Sequence, residues 1–129
     1  MSTFKSRRFP TGNIEMRYRN PTVGEVMKEF QRAAVRLHIL HHAAQEPIYG
    51  AWMSEELAHH GYKISPGTLY PTLHRLEVDG LLESEFVVSE GRNRRVYRAT
   101  PAGEAALVED RASLAELARE VLGPSWPEN

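Results

Sequence analysis

The sequence predicts an α+β chain that is mostly helical, and three observations carry that prediction. Three segments repeat apolar residues at the three-and-four spacing of a buried helix face. Two shorter segments then alternate apolar with polar residues, and a last segment opens on a cap signal and returns to the helical period. The 129 residues, 41% of them hydrophobic, suffice for one core. A compact chain of this size buries roughly two-thirds of the surface its extended form exposes.

Residues 1–21 contain Pro10, Gly12, Asn20 and Pro21 and show no period, so they are read as an irregular arm. Lys5, Arg7, Arg8, Arg17 and Arg19 face only Glu15 there, which makes the arm basic. Thr22 followed by Glu25 has capping-box spacing. Val26, Phe30, Ala33, Ala34, Leu37, Leu40 and Ala44 then form the stripe of a helix over 22–45, stopped by Glu46-Pro47. Gly50 marks a turn before a second helix over 51–60, with Trp52, Met53 and Leu57 on its apolar face and Gly61 at its end.

The third helix, 65–79, opens on Ser65-Pro66, a hydroxyl at the cap and a ring at the first helical position, where a missing N–H costs nothing. Leu69, Leu73 and Leu76 are its buried stripe; Pro71 requires either a tight separate first turn or a kink. Strands are expected over 82–88 and 95–100, joined by Ser89-Glu90-Gly91-Arg92-Asn93-Arg94, an arginine-rich tip. Thr100-Pro101 repeats the cap-and-proline signal for a helix over 101–122. Gly123-Pro124 and Trp126-Pro127 forbid its continuation and leave 124–129 as a flexible tail.

Composition removes several function classes. Sixteen basic against 17 acidic side chains give a net charge of −1, and there is no cysteine, which excludes disulfides, thiol nucleophiles and thiolate metal sites. No apolar run reaches the ~18 residues of a membrane span, and MSTFKSRRFP lacks the apolar stretch of a secretory signal. A cytoplasmic, non-membrane protein is expected. No nucleophile elbow, phosphate-binding glycine loop or paired-carboxylate setting occurs, so neither catalysis nor a cofactor is expected. His38 and His42 share a helix face with His41 beside them, and His59-His60 follow. Without cysteine or a suitably placed acid, no metal is expected, and His38 and His42 are read as lining the junction of the first helix with the last, dimer-forming helix, or solvent.

Near-zero charge hides segregation. Arg92, Arg94, Arg95 and Arg98 stand in residues 91–98 without an acid, whereas residues 101–129 hold Glu104, Glu109, Asp110, Glu116, Glu120 and Glu128 against Arg111 and Arg119. Three helices with a short turn between the second and third, then a basic hairpin, is the order of a winged helix-turn-helix over 22–100. Its third helix would read duplex DNA in the major groove with Ser65, Thr68, Tyr70, Thr72, His74 and Arg75, while Arg92, Arg94 and Arg95 of the wing grip phosphates. Tyr70 has a second reading, as an aromatic sealing the helix-turn-helix. The basic arm is either disordered or a minor-groove reader. Leu107, Leu114, Leu117 and Val121 give the last helix, 101–123, a seam too apolar to stand alone, which points to a homodimer on a pseudo-palindromic operator.

The stretch SPGTLYPTLHRLEVDGLLES, followed by EGRNRRVYRATPAGEAAL, resembles the PadR family of bacterial transcriptional regulators, over about residues 35–122. The resemblance implies a homodimeric repressor that pairs through its C-terminal helix and in many members leaves DNA on binding a phenolic or hydrophobic compound. It places Thr68, Tyr70 and Arg75 on the DNA-facing helix and Arg92, Arg94 and Arg95 on the basic wing. Such an effector would sit between the winged helix and the dimer helices, near Phe30, Trp52 or Met53. Where many members carry His-Gly-Tyr before the second helix, this chain has Tyr49-Gly50-Ala51, so a ligand-lining tyrosine there is not transferred. The last helix looks like the short-tailed branch. The alternative is a winged-helix protein-interaction module without specific DNA binding, which acids on the wing would mark; residues 91–98 have none.

Overall fold

The computed structural model describes residues 23–125. The basic arm, the Thr22 cap and the chain from Trp126 onward lie outside the described residues. The elements in order are α1 (Val23–Gln45), β1 (Ile48–Tyr49), α2 (Gly50–His59), α3 (Pro66–Val78), β2 (Leu82–Ser89), β3 (Arg92–Ala99) and α4 (Pro101–Leu122). The chain divides at Phe30, and the unit Gln31–Asn129 carries the sheet, α2, α3 and α4. This is the winged-helix architecture. None of the described helices is long and apolar enough to cross a membrane.

The core draws on every element. α1 supplies Val35, Ile39, Leu40 and Ala43, α2 supplies Met53 and Leu57, and α3 its three leucines; Ile48, Leu82, Tyr97 and Leu107 complete it. Each such aliphatic side chain withdrawn from water is worth about 1.5–3 kcal/mol. The stripe expected on α1 is rotated: Phe30 and Ala33 are exposed, and Leu37 and Ala44 only partly buried, whereas Val35 and Ile39 turn inward. Apolar residues on more than one face of α1 left its period ambiguous, and the partner helices selected the face.

Both helices of the helix-turn-helix end alike. Tyr62 N–H donates to the Leu57 carbonyl and Gly61 N–H to that of Ala58; Leu81 N–H donates to Leu76 and Gly80 N–H to Glu77. Gly61 and Gly80 take φ of +90° and +81°, the left-handed conformation such a helix ending needs. Ser65, in contrast, caps α3 with its carbonyl alone, which accepts from Thr68 and Leu69 N–H. Its hydroxyl donates to Thr68 Oγ1 at 3.4 Å and makes no cap bond, contrary to expectation. α3 runs on through Pro71 with no separate first turn; both Pro71 and Gly67, four residues back, are exposed.

The sheet has three antiparallel strands in the order β1-β3-β2. β1, too short to show alternation, was invisible in the sequence; it pairs Ile48 with Tyr97 and Tyr49 with Val96. The hairpin is also tighter than expected. Glu90 and Gly91 take φ of +53° and +75°, the signature of a two-residue turn whose twist matches the strands. β3 therefore begins at Arg92 rather than at residue 95, and the arginines stand in the strand instead of on a loop.

The start of α4 is pinned by Thr100. Its hydroxyl donates to the Gly80 carbonyl at 2.6 Å and accepts from Gly103 N–H at 3.0 Å, and its own N–H donates to the Leu81 carbonyl. Here the expected threonine cap forms.

Candidate nucleic-acid interface

With Leu69, Leu73 and Leu76 between 0% and 3% exposed, the 3.6-residue period orients the rest of α3. Pro71, His74, Arg75 and Val78 lie opposite the stripe and are exposed. Thr68 and Thr72 form one flank, Tyr70 and Glu77 the other. The Thr72 hydroxyl donates to the Thr68 carbonyl at 2.8 Å, so its proton is already committed. Arg75 Nε lies 3.5 Å from Asp79 Oδ2, one turn on and largely in solvent, an ion pair worth only tenths of a kcal/mol, roughly 0.3–0.5. Tyr70 does more inside than expected. A Cβ on Gly50 would lie 2.7 Å from the Tyr70 ring, so that ring wedges against the start of α2 while one edge stays in solvent.

Strand period two splits the wing arginines. Arg94 guanidinium lies 4.0 Å above the Tyr49 ring. Arg95, on the other face, lies 4.4 Å above Phe86, its cross-strand partner, and donates from Nη1 to Ser84 Oγ at 2.8 Å. Ser84 Oγ in turn donates to Glu77 Oε2 at 2.7 Å. Burial pushes the Tyr97 phenol up; Arg95 opposes that shift, while Glu77 and Tyr70 add to it, so all four side chains share one electrostatic neighbourhood. The three arginines expected to grip phosphates together therefore divide: Arg92 and Arg94 share one face of the hairpin, and Arg95 turns toward α3. A groove of about 470 Å³ on the Thr68–Thr72 flank is lined by Arg32 and Arg36 of α1 together with Arg75. Sequence reading missed that pair, although two arginines four residues apart share one helix face.

The profile of the "Transcriptional regulator PadR-like family" matches residues 39–109. Transcriptional regulator Rv3488 of Mycobacterium tuberculosis (strain ATCC 25618 / H37Rv) is 74% identical over 97 residues, spanning 75% of this chain and 91% of that one. The chain belongs to the PadR-like family. Among solved structures, a PadR family transcriptional regulator from Eggerthella lenta DSM 2243 superposes with a TM-score of 0.67 at 34% identity, covering 83% of this chain and 94% of that chain. A PadR-like transcriptional regulator from Bacillus cereus strain ATCC 14579 gives 0.65 at 28% identity, covering 79% and 97%.

Other PadR expectations land unevenly. On α4, Leu107 is 3% exposed and belongs to the core, so it is corrected out of the seam. Leu114, Leu117 and Val121 are 49%, 51% and 67% exposed and remain available, joined by Val108 and Leu122. Of the residues placed near an effector, Met53 is fully buried in the core, because it faces inward from α2. Trp52 lines a cleft of about 190 Å³ with His42, Glu46, Pro47 and Tyr49; Phe30 is exposed on α1.

The histidines divide between two junctions. His38 rests its ring 4.8 Å from that of His60 and 5.4 Å from Tyr62, and His42 and His60 share Glu56 Oε2 at 3.4 and 3.1 Å. The expectation for His38 and His42 is thus corrected, since both face α2 and the turn after it, and His41 is the one that meets α4: Arg111 Nη2 donates to its Nδ1 at 2.9 Å. Arg36 pairs with Asp110 at 3.6 Å across the same junction. Among the described residues no group of three or more histidine or acidic side chains is arranged to hold a metal ion.

Proposed function

We propose that this PadR-like regulator is a homodimeric, cytoplasmic repressor that reads a pseudo-palindromic duplex with α3 and grips its phosphates with the wing. The observation that carries the reading is the division of α3: three leucines hold it on the core while Thr68, His74 and Arg75 stay in solvent. Ser65 and Thr72 flank that face. Arg92 and Arg94 are the phosphate ligands of the wing. Leu114, Leu117 and Val121 form the seam to a second copy, because their exposed apolar surface would otherwise remain in water. An aromatic or hydrophobic effector is assigned to the Trp52 cleft of about 190 Å³, where the Trp52 and Tyr49 rings offer it stacking surface. Tyr49 connects that cleft to Arg94, since the same ring lines the one and stacks under the other.

Selection of bound sequences from a random duplex pool at two salt concentrations tests this reading. Enrichment of a two-fold symmetric motif with half-sites one helical turn (~34 Å) apart is expected. Weak, salt-sensitive retention without enrichment would leave the protein-interaction reading instead.

A further inference from the structure

The outer half of the hairpin has little apolar anchorage. Beyond Leu82, β2 places no residue in the core, and Phe86 and Val88 are 63% and 75% exposed. One polar chain reaches from this part of the wing back to α3. Arg95 is held at two points, above the Phe86 ring and by its hydrogen bond to Ser84, and the Ser84 hydroxyl in turn donates a hydrogen bond to Glu77. Glu77 Oε1 stands a further 4.0 Å from Arg95 Nη1, so the carboxylate supplies the countercharge. An arginine engaged on this side costs more to swing out to a phosphate than Arg94, which rests on the Tyr49 ring and, among the described residues, pairs with no carboxylate.

We propose that Glu77, acting through Ser84, locks Arg95 and thereby sets the angle of the wing against α3, so that Glu77 is a positioning residue for DNA binding and Arg95 belongs to the lock instead of gripping a phosphate. The inference rests on the DNA-binding reading above. The lock explains why the helix that enters the groove carries an acid on its wing-side flank, where a carboxylate facing DNA would only repel phosphate. It also assigns Ser84 a purpose, since its hydroxyl both donates to Glu77 and accepts from Arg95.

The test measures affinity for a selected duplex and for a random duplex of equal length, across salt, for the wild type, Glu77→Gln, Arg95→Gln, the double variant, Ser84→Ala and Arg94→Gln. Glu77→Gln and Arg95→Gln should each lose about tenfold on the selected duplex, the loss expected for a charged hydrogen bond. Neither should lose affinity for the random one, and the double variant should be no weaker than the worse single. Ser84→Ala keeps both charges and should follow them. The log–log salt slope should stay that of the wild type in all four, whereas Arg94→Gln lowers it by about 0.9, one phosphate's worth. A slope lowered equally by Arg95→Gln, or additive losses in the double variant, would overturn the lock while the wild type still binds DNA. A wild type that retains no duplex would instead remove the DNA reading, and this role with it.

Discussion

Gly103 and Leu81 meet backbone to backbone: a Cβ on Gly103 would fall on the Leu81 carbonyl oxygen. The first turn of α4 therefore packs directly on the turn that follows α3, with Thr100 bonded to Gly80 on one side and to Gly103 on the other. Gly103→Ala must push this junction apart and should cost about 1–3 kcal/mol, the range for overpacking a filled site. Urea denaturation measures it; a change within about 0.5 kcal/mol, the level of a neutral surface substitution, would mean that α4 does not seat there.

Arg92 and Arg94 share one face of the wing. Replacing both by Ala should weaken binding to every sequence alike and flatten the log–log salt slope by about two units, one per phosphate. Filter binding at several salt concentrations reads the slope, and an unchanged value would take the wing out of the interface.

Leu114 and Leu117 are half exposed on α4. With both changed to Glu, four carboxylates would face one another across a two-fold seam, and light scattering should report a monomer of about half the wild-type mass. A persistent dimer would place the interface elsewhere. Since neither side chain lies in the core, the melting temperature extrapolated to low protein concentration should hardly move.

His41 stays neutral to accept from Arg111. Burial is the first cause that lowers its pKa, followed by His42 and Arg111; burial also leads at His38, with His60, His42 and His41 adding to it and Glu56 opposing. A histidine whose pKa is lower folded than unfolded takes its proton first in the unfolded chain. Stability is therefore intact above the ordinary value of 6.5 and is lost as pH falls below it, levelling off once the folded state also charges. Melting temperatures at about pH 7.5 and 5.5 should differ in this sense, and His41→Gln should shrink the difference. An equal difference in the variant would show that His41 does not couple α4 to α1 through its charge.

Much of this was legible in the residues. The leucine stripe of α3, the cap at Thr100 and the glycine endings of α2 and α3 are local: each follows from sterics and hydrogen bonding within one or two helical turns. α1 was harder, because its apolar residues satisfied more than one helical face. β1 could not be read at all, since a two-residue strand exists only through the bonds its partner offers. Ser65 carried the right residue type for a side-chain cap, but its hydroxyl chose Thr68 Oγ1.

The arginines of the wing mark the boundary between the two kinds of information. Their number and their nearness in the chain to α3 are properties of the sequence, whereas the two-residue turn at Glu90-Gly91, tighter than the expected connection over 89–94, was decided by the pairing of β2 with β3. Composition alone could not assign Arg95 to α3 and Arg94 to Tyr49, because that depends on the register of β2 against β3 and on which strand face looks toward Glu77. Leu107 and Leu114 obey the same rule on α4. Local periodicity placed both on one seam, but the core has room only for the first, and long-range packing left the second in water.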